Sequence, residues 1–231
     1  MRTVLTAAAL ASGLLSSPAF ADRTGTVVEL FTSQGCSSCP PADQVLADLA
    51  ERDDVIPLAL HVDYWDYLGW RDDLASPLFT ARQKAYAHRQ DAAHVYTPQI
   101  VVGGADALVG SHGMKVMDLI QKHNAQPDPV ALDVTRDGAD LTIRATTTAA
   151  AGSAVVQVVQ YLPRAVRDIE GGENAGLTVT YVNAVTSWRT ATQWNTQQPL
   201  DIRFEADPEM PVVVIVQDGI NGPVLGAVQL D

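Results

Sequence analysis

Thr32-Ser33-Gln34-Gly35-Cys36-Ser37-Ser38-Cys39-Pro40-Pro41 holds both cysteines of the 231-residue chain, three positions apart. Before it, Val27-Val28-Glu29-Leu30-Phe31 is a short apolar run with β-branched residues, the pattern of a buried strand. After it, Ala42, Val45, Leu46, Leu49 and Ala50 recur at helical spacing, with Asp43 in the first turn. The pair therefore sits on a strand-to-helix turn, with Cys36 near the helix start, where unpaired N–H groups and the helix dipole favour a thiolate. Cys39, one turn further on, can reach the same sulfur and close a disulfide. Pro40 and Pro41 are tolerated there because the first turn leaves such donors unpaired. Three chemistries stand open for the pair: a redox dithiol, a structural disulfide, or part of a soft-metal site. A loop this short is a poor staple, and no second CxxC or HxxxH adds metal ligands. The redox reading leads.

Working outward, residues 55–62 form a second apolar strand ending in His61, which completes a βαβ unit with parallel strands. Residues 63–72 carry Tyr64, Trp65, Tyr67 and Trp70 among aspartates without strand or helix periodicity. Such a loop packs partly on the body and partly faces a ligand or partner, or simply roofs a small satellite core. Asp72 or Asp73 is placed to cap a helix over about 74–88. Thr97-Pro98 enters an apolar strand, Gln99-Ile100-Val101-Val102, where a proline fits only at the first position, especially as a cis-proline. Gly103-Gly104 turns the chain back through residues 107–109, and a helix follows over 114–123.

Strand, CxxC at a helix start, βαβ, Thr-Pro opening a hairpin and a last helix together resemble the thioredoxin fold over residues 26–124. That resemblance implies that Thr97 and Pro98 form a substrate-facing edge beside the dithiol. It also implies a role for Glu29, the one charge in its strand: a buried acid that takes the proton of Cys39 during resolution. The alternative for Glu29 is a solvated edge position or a pair with an arginine. Gly35 and Ser37-Ser38 depart from the thioredoxin pattern of tryptophan before the first cysteine and Gly-Pro between the two. Closer still, residues 31–43, His61-Val62-Asp63-Tyr64-Trp65-Asp66, Gly69-Trp70-Arg71-Asp72 and, further on, Gly172-Glu173-Asn174-Ala175-Gly176 and Tyr181-Val182-Asn183 resemble a secreted bacterial family, domain of unknown function 1223.

Arg2, the apolar residues 4–15 and Ala19-Phe20-Ala21 read as a signal peptide, residues 1–21, cleaved after Ala21. This places the protein in the periplasm or outside the cell, where disulfides persist. A net charge of −12 argues against nucleic acid or an anionic membrane as partner, and no apolar run is long enough for stable membrane insertion. Pro127-Asp128-Pro129 ends the helical signals, and the rest alternates as strands with polar turns, including residues 154–162, 177–185 and 188–194. The expected architecture is an α/β thioredoxin-like domain, residues 22–126, followed by an all-β sandwich-like domain, residues 127–231. The expected function is thiol–disulfide exchange with exported proteins through Cys36 and Cys39, without a cofactor beyond their redox-active disulfide. Trp65 and Trp70 join Thr97 and Pro98 as substrate contacts. The alternative is a non-enzymatic module: a Cu(I) or Zn chaperone using the two thiols, or a protein adaptor.

Overall fold

The computed structural model describes residues 23–148 and 152–230; the segment read as a signal peptide lies outside them. β1 (Arg23–Thr24) and β2 (Thr26–Thr32) lead into α1 (Pro40–Ala50) and β3 (Val55–His61). A 3-10 turn (Asp66–Leu68) and α2 (Pro77–Arg89) precede the hairpin of β4 (Gln99–Val102) and β5 (Asp106–Val109), then α3 (Gly113–Asn124). Seven strands follow: β6 (Val130–Asp137), β7 (Asp140–Thr147), β8 (Ser153–Asp168), β9 (Thr178–Asn195), β10 (Leu200–Glu205), β11 (Val212–Gln217) and β12 (Val224–Leu230). Prolines open α1 and α2, where a missing N–H costs nothing, and the Ser76 hydroxyl caps α2 by accepting from Leu78 N–H at 3.2 Å. No helix among the described residues is long and apolar enough to cross a membrane.

β2 runs parallel to β3, from Thr26↔Val55 to Thr32↔His61, and antiparallel to β4. The expected division into an α/β thioredoxin-like domain and a β-sandwich is corrected at the other edge of β3. There β9 pairs with β3 in parallel at Ala59↔Ala184, and the sheet continues through β8, β11, β12 and β1. Of the described residues, 45% are strand and 19% helix, dominated by one curled, mixed nine-stranded sheet. A three-stranded sheet, β10-β7-β6, packs beside it.

Strand alternation shows why the two halves share a core. Val28 and Leu30 of β2 face α1 and α3, packing on Leu46 and Ile120. Val27 and Phe31 face the opposite side, where Phe79 and Tyr86 of α2 join Val159, Tyr161, Val213 and Ile215 of β8 and β11 in one apolar cluster. The alternate β11 residues, Val212, Val214 and Val216, pack with Leu141 and Ile143 of the small sheet. β11 is therefore buried on both faces, between layers drawn from both halves of the described chain.

A second correction concerns the strands expected over residues 154–162 and 177–185, which both run on into the stretch between them. β8 and β9 are 16 and 18 residues long and pair from Ser153↔Asn195 to Asp168↔Thr178. Only residues 169–177 remain as the connecting tip. Pro163 lies opposite Asn183, which takes a left-handed conformation (φ 47°) and donates from its side chain to the Pro57 carbonyl at 2.8 Å. The ribbon thereby passes the β3 edge and carries its tip toward the start of α1.

Candidate functional site

Cys36 and Cys39 form a disulfide. α1 begins at Pro40, so Cys39 is the residue that caps the helix and Cys36 lies on the turn before it. That turn is closed by Cys36 N–H donating to Ser33 O and Cys39 N–H donating to Cys36 O, each at 3.1 Å. Both cysteines are buried, with Cys36 1% exposed, while Ser37 and Ser38 between them face solvent. Ser38 Oγ lies 3.5 Å from Cys36 Sγ.

Gln34 ties the turn to two other segments, the loop through Trp70–Asp73 and the ribbon tip, through all four of its polar groups. Its backbone N–H donates to Asp72 Oδ2 (2.9 Å), and its side-chain Nε2 to Asp73 Oδ1 (2.9 Å). Its Oε1 accepts from Trp70 Nε1 (2.7 Å), and its carbonyl from Asn174 Nδ2 (2.9 Å). Asn174, at the tip of the β8–β9 ribbon and buried, donates a second bond to the Cys36 carbonyl at 3.0 Å. Beside it, Ser37 Oγ donates to Glu173 Oε2 at 2.7 Å, and Arg167 Nε spans both oxygens of Asp73 at 2.9 and 2.8 Å. The ribbon tip thus closes over the cysteine turn.

The expected substrate edge is joined to this assembly through Trp65. Its indole Nε1 donates to Thr97 Oγ1 at 2.8 Å, and the Thr97–Pro98 peptide is cis. A Cβ on Gly35 would lie 3.1 Å from Trp65 Cβ, so a small residue is needed where the cysteine turn passes this side chain. Trp65, Trp70 and Thr97 are half-buried and Pro98 is buried.

Glu29 stands elsewhere. It shares the face of β2 with Val27 and Phe31, away from α1 and its cysteine. Arg82 holds it in a two-pronged ion pair, Nε to Oε2 at 2.6 Å and Nη2 to Oε1 at 2.8 Å, and Tyr86 OH donates at 2.6 Å. The acid on the cysteine side is Asp43, visible in the sequence only as a first-turn charge. Its Oδ1 accepts from Thr32 Oγ1 at 2.8 Å. Burial pushes Asp43 up to about 6, opposed by the Thr32 hydroxyl and by His61, while Asp72 adds to the rise. His61, at the end of β3, lies 2.7 Å by Nδ1 from Asp72 Oδ2, with the Tyr181 ring edge against it, centroids 4.6 Å apart. Burial raises Asp72, but His61 and the N–H groups of Gln34 and Leu74 outweigh it and hold the carboxyl below its usual range. Spacing carried the missed signal, since Cys39 and Asp43 are four residues apart and so share one flank of α1.

Among the described residues, no three or more His, Cys, Asp or Glu side chains are gathered as for a metal ion. The model of a protein family of unknown function, DUF1223, matches residues 27–217. The chain belongs to this family. The DUF1223 match spans the cysteine turn, the ribbon and β11 alike. The crystal structure of protein AGR_C_4864 from Agrobacterium tumefaciens is similar, with 31% identity and a TM-score of 0.77, over 90% of this chain and 95% of that one. HBP35 of Porphyromonas gingivalis shares the fold at 15% identity and a TM-score of 0.65, over 90% of this chain and 74% of that one. No curated protein matches the chain.

Proposed function

We propose that the protein exchanges thiols and disulfides with other exported proteins through Cys36 and Cys39. The observation that carries this reading is the Cys36–Cys39 disulfide at the N-terminal end of α1, enclosed by polar groups from the Asp63–Asp73 region and the ribbon tip. In the oxidising direction, a partner thiolate attacks Cys36 Sγ, the S–S bond breaks, and Cys39 leaves with the electron pair. A second partner thiolate then displaces Cys36, so the partner gains a disulfide and the protein two thiols. Thr97 and Pro98 supply the edge along which a partner strand pairs, with Trp65 and Trp70 flanking it. Cys36 is 1% exposed, so attack on its sulfur requires the groups packed on the cysteine turn, the ribbon tip among them, to move. Residues 1–21 support export, which supplies partners bearing disulfides.

The test is incubation of oxidised protein with a reduced peptide dithiol, and of reduced Cys39→Ser and Cys36→Ser variants with the peptide disulfide. Expected are peptide oxidation by the wild type and a stable mixed disulfide on Cys39→Ser, absent from Cys36→Ser. An inert wild-type disulfide, with no adduct on either variant, overturns the reading.

A further inference from the structure

β9 has an open edge beyond its contact with β3. The two strands pair only at Ala59↔Ala184, while β9 continues beside β8 as far as Asn195. Among the described residues, no other strand pairs with β9 on that side. Thr186 and Ala191 are bulged, with no partner in β8, and they bound a regular segment, residues 187–190. The main-chain groups on the open side of that segment are an incomplete ladder, the template to which a further strand adds. The bulges keep the template short, which guards against indiscriminate edge-to-edge stacking.

Trp188 and Thr190 of this segment also line a groove against α2, with a cavity of about 270 Å³. Leu78, Ala81 and Ala85, at helical spacing, contribute one side of it, and Ile220 of the β11–β12 loop contributes another. Leu78 is 67% exposed and Ile220 58%, so large apolar side chains stand in water along the groove. Its buried polar groups are already matched: Arg82 is paired with Glu29, and Gln157 accepts from the Trp188 indole. Charge enters at the rim. In a chain of net charge −12, neither α2 nor β9 contains an acidic residue, and together they carry Arg82, Lys84, Arg89 and Arg189. Asp218, before Ile220, lies 3.5 Å from Arg89, while Lys84 is exposed.

We infer that this edge and groove bind an extended polypeptide segment in which apolar side chains alternate and acidic residues flank them. The segment adds to residues 187–190 as a further strand, through main-chain hydrogen bonds that any sequence can make. Selectivity comes from its side chains. Those on the α2 side of the added strand are every second residue, and they enter the cavity. Carboxylates at its ends meet the basic rim, which steers the approach and sets the charge preference. Polypeptides that have not finished folding expose segments of this kind. The site stands apart from the cysteine turn, on the α2 side of the sheet.

The probe is a fluorescein-labelled heptapeptide with valine at alternate positions and aspartate at each end, titrated with the oxidised full chain and followed by anisotropy. Saturable binding is expected. Methylating alternate backbone nitrogens removes main-chain donors, and binding should weaken about tenfold or more. Lysine in place of the terminal aspartates should weaken it as well, and the difference between the two peptides should shrink as salt is added. Ala81→Glu places a carboxylate in the groove from an exposed helix position. It should leave thermal unfolding unchanged and weaken the aspartate peptide about tenfold. In hydrogen exchange, amides within residues 187–190 should gain protection when the peptide binds. Absence of binding overturns the proposal, as does binding that tolerates backbone methylation, survives Ala81→Glu or leaves residues 187–190 unprotected. A wild type that dimerises through this edge and becomes monomeric in Ala81→Glu also overturns it, by assigning the edge to a second copy of the chain.

Discussion

On the α2 side of β2, Glu29 accepts two bonds from Arg82 and one from Tyr86, and the cluster extends until every arm is occupied. Arg82 also donates to the Ile220 carbonyl at 3.1 Å and lies over the Trp188 ring, 3.8 Å from its centroid, while Gln217 donates to Tyr86 OH at 2.8 Å. On the α1 side, Asp43 has one hydroxyl for two oxygens, and the nearby imidazole leaves one nitrogen unmatched. Both acids are buried, on opposite sides of β2. One is paired with a guanidinium, and the other has only a hydroxyl as hydrogen-bond partner. The first joins the two halves of the sheet; the second is left able to change protonation.

The largest effect should come from breaking the satisfied cluster. Arg82→Met strands Glu29 in a dry layer, and removing one partner of a buried ion pair costs about 3–5 kcal/mol. Denaturant unfolding of Arg82→Met beside the double variant Arg82→Met/Glu29→Leu checks this, with most of the loss expected to return in the double variant. A single variant as stable as the wild type would mean that Glu29 is already solvated.

The unsatisfied side should respond with the opposite sign. A carboxyl raised from 3.8 to about 6 by folding binds more protons in the native state than unfolded, so it reduces stability as pH rises through that window. Asp43→Asn should therefore stabilise the fold by on the order of 2–3 kcal/mol above pH 6 and by nearly nothing at pH 4. Thermal unfolding across pH 4–8 reads the difference directly. A variant less stable than the wild type at pH 8 would show that the charged form of Asp43 is compensated after all.

The smallest effect sharpens the comparison at the cover over the cysteines. Asn174→Ala removes both of its buried side-chain bonds, each worth about 1 kcal/mol, so stability should fall by about 1–2 kcal/mol. Reduction of the disulfide by dithiothreitol should become faster by more than this loss explains through global unfolding. Unchanged reduction kinetics would mean that the tip does not limit access.

Local patterns were legible wherever one segment decides its own structure. The apolar run before Cys36, the helical spacing after it and the Thr97-Pro98 entry into a hairpin all read correctly from neighbours in sequence. The side of β2 on which α1 packs was not legible, because all residues from Val27 to Thr32 are buried and alternation gives no sign to choose by. The sequence therefore offers no way to tell that Glu29 faces α2 and not α1. The long ribbon was hidden differently. Its outer half is only partly buried, Pro163 and Asn183 interrupt the pattern, and a strand of 18 residues breaks into two when read by hydrophobicity. The pairing of β9 with β3 depends on an edge that no local signal marks.

The ribbon tip also sets an order of assembly. Asn174 meets Gln34 and Cys36 across sequence separations of 140 and 138 residues, whereas the disulfide spans three. A ribosome adding roughly 5–20 residues per second leaves an interval on the order of ten seconds between the cysteines and their cover. An oxidant present while the chain is incomplete meets a naked pair; one arriving after β8 and β9 have docked meets a sealed one. If the tip limits access, oxidation of the cysteines depends on when the far half of the chain arrives, and a slow-docking ribbon variant should differ from the wild type in its oxidation history even where the finished molecules are identical.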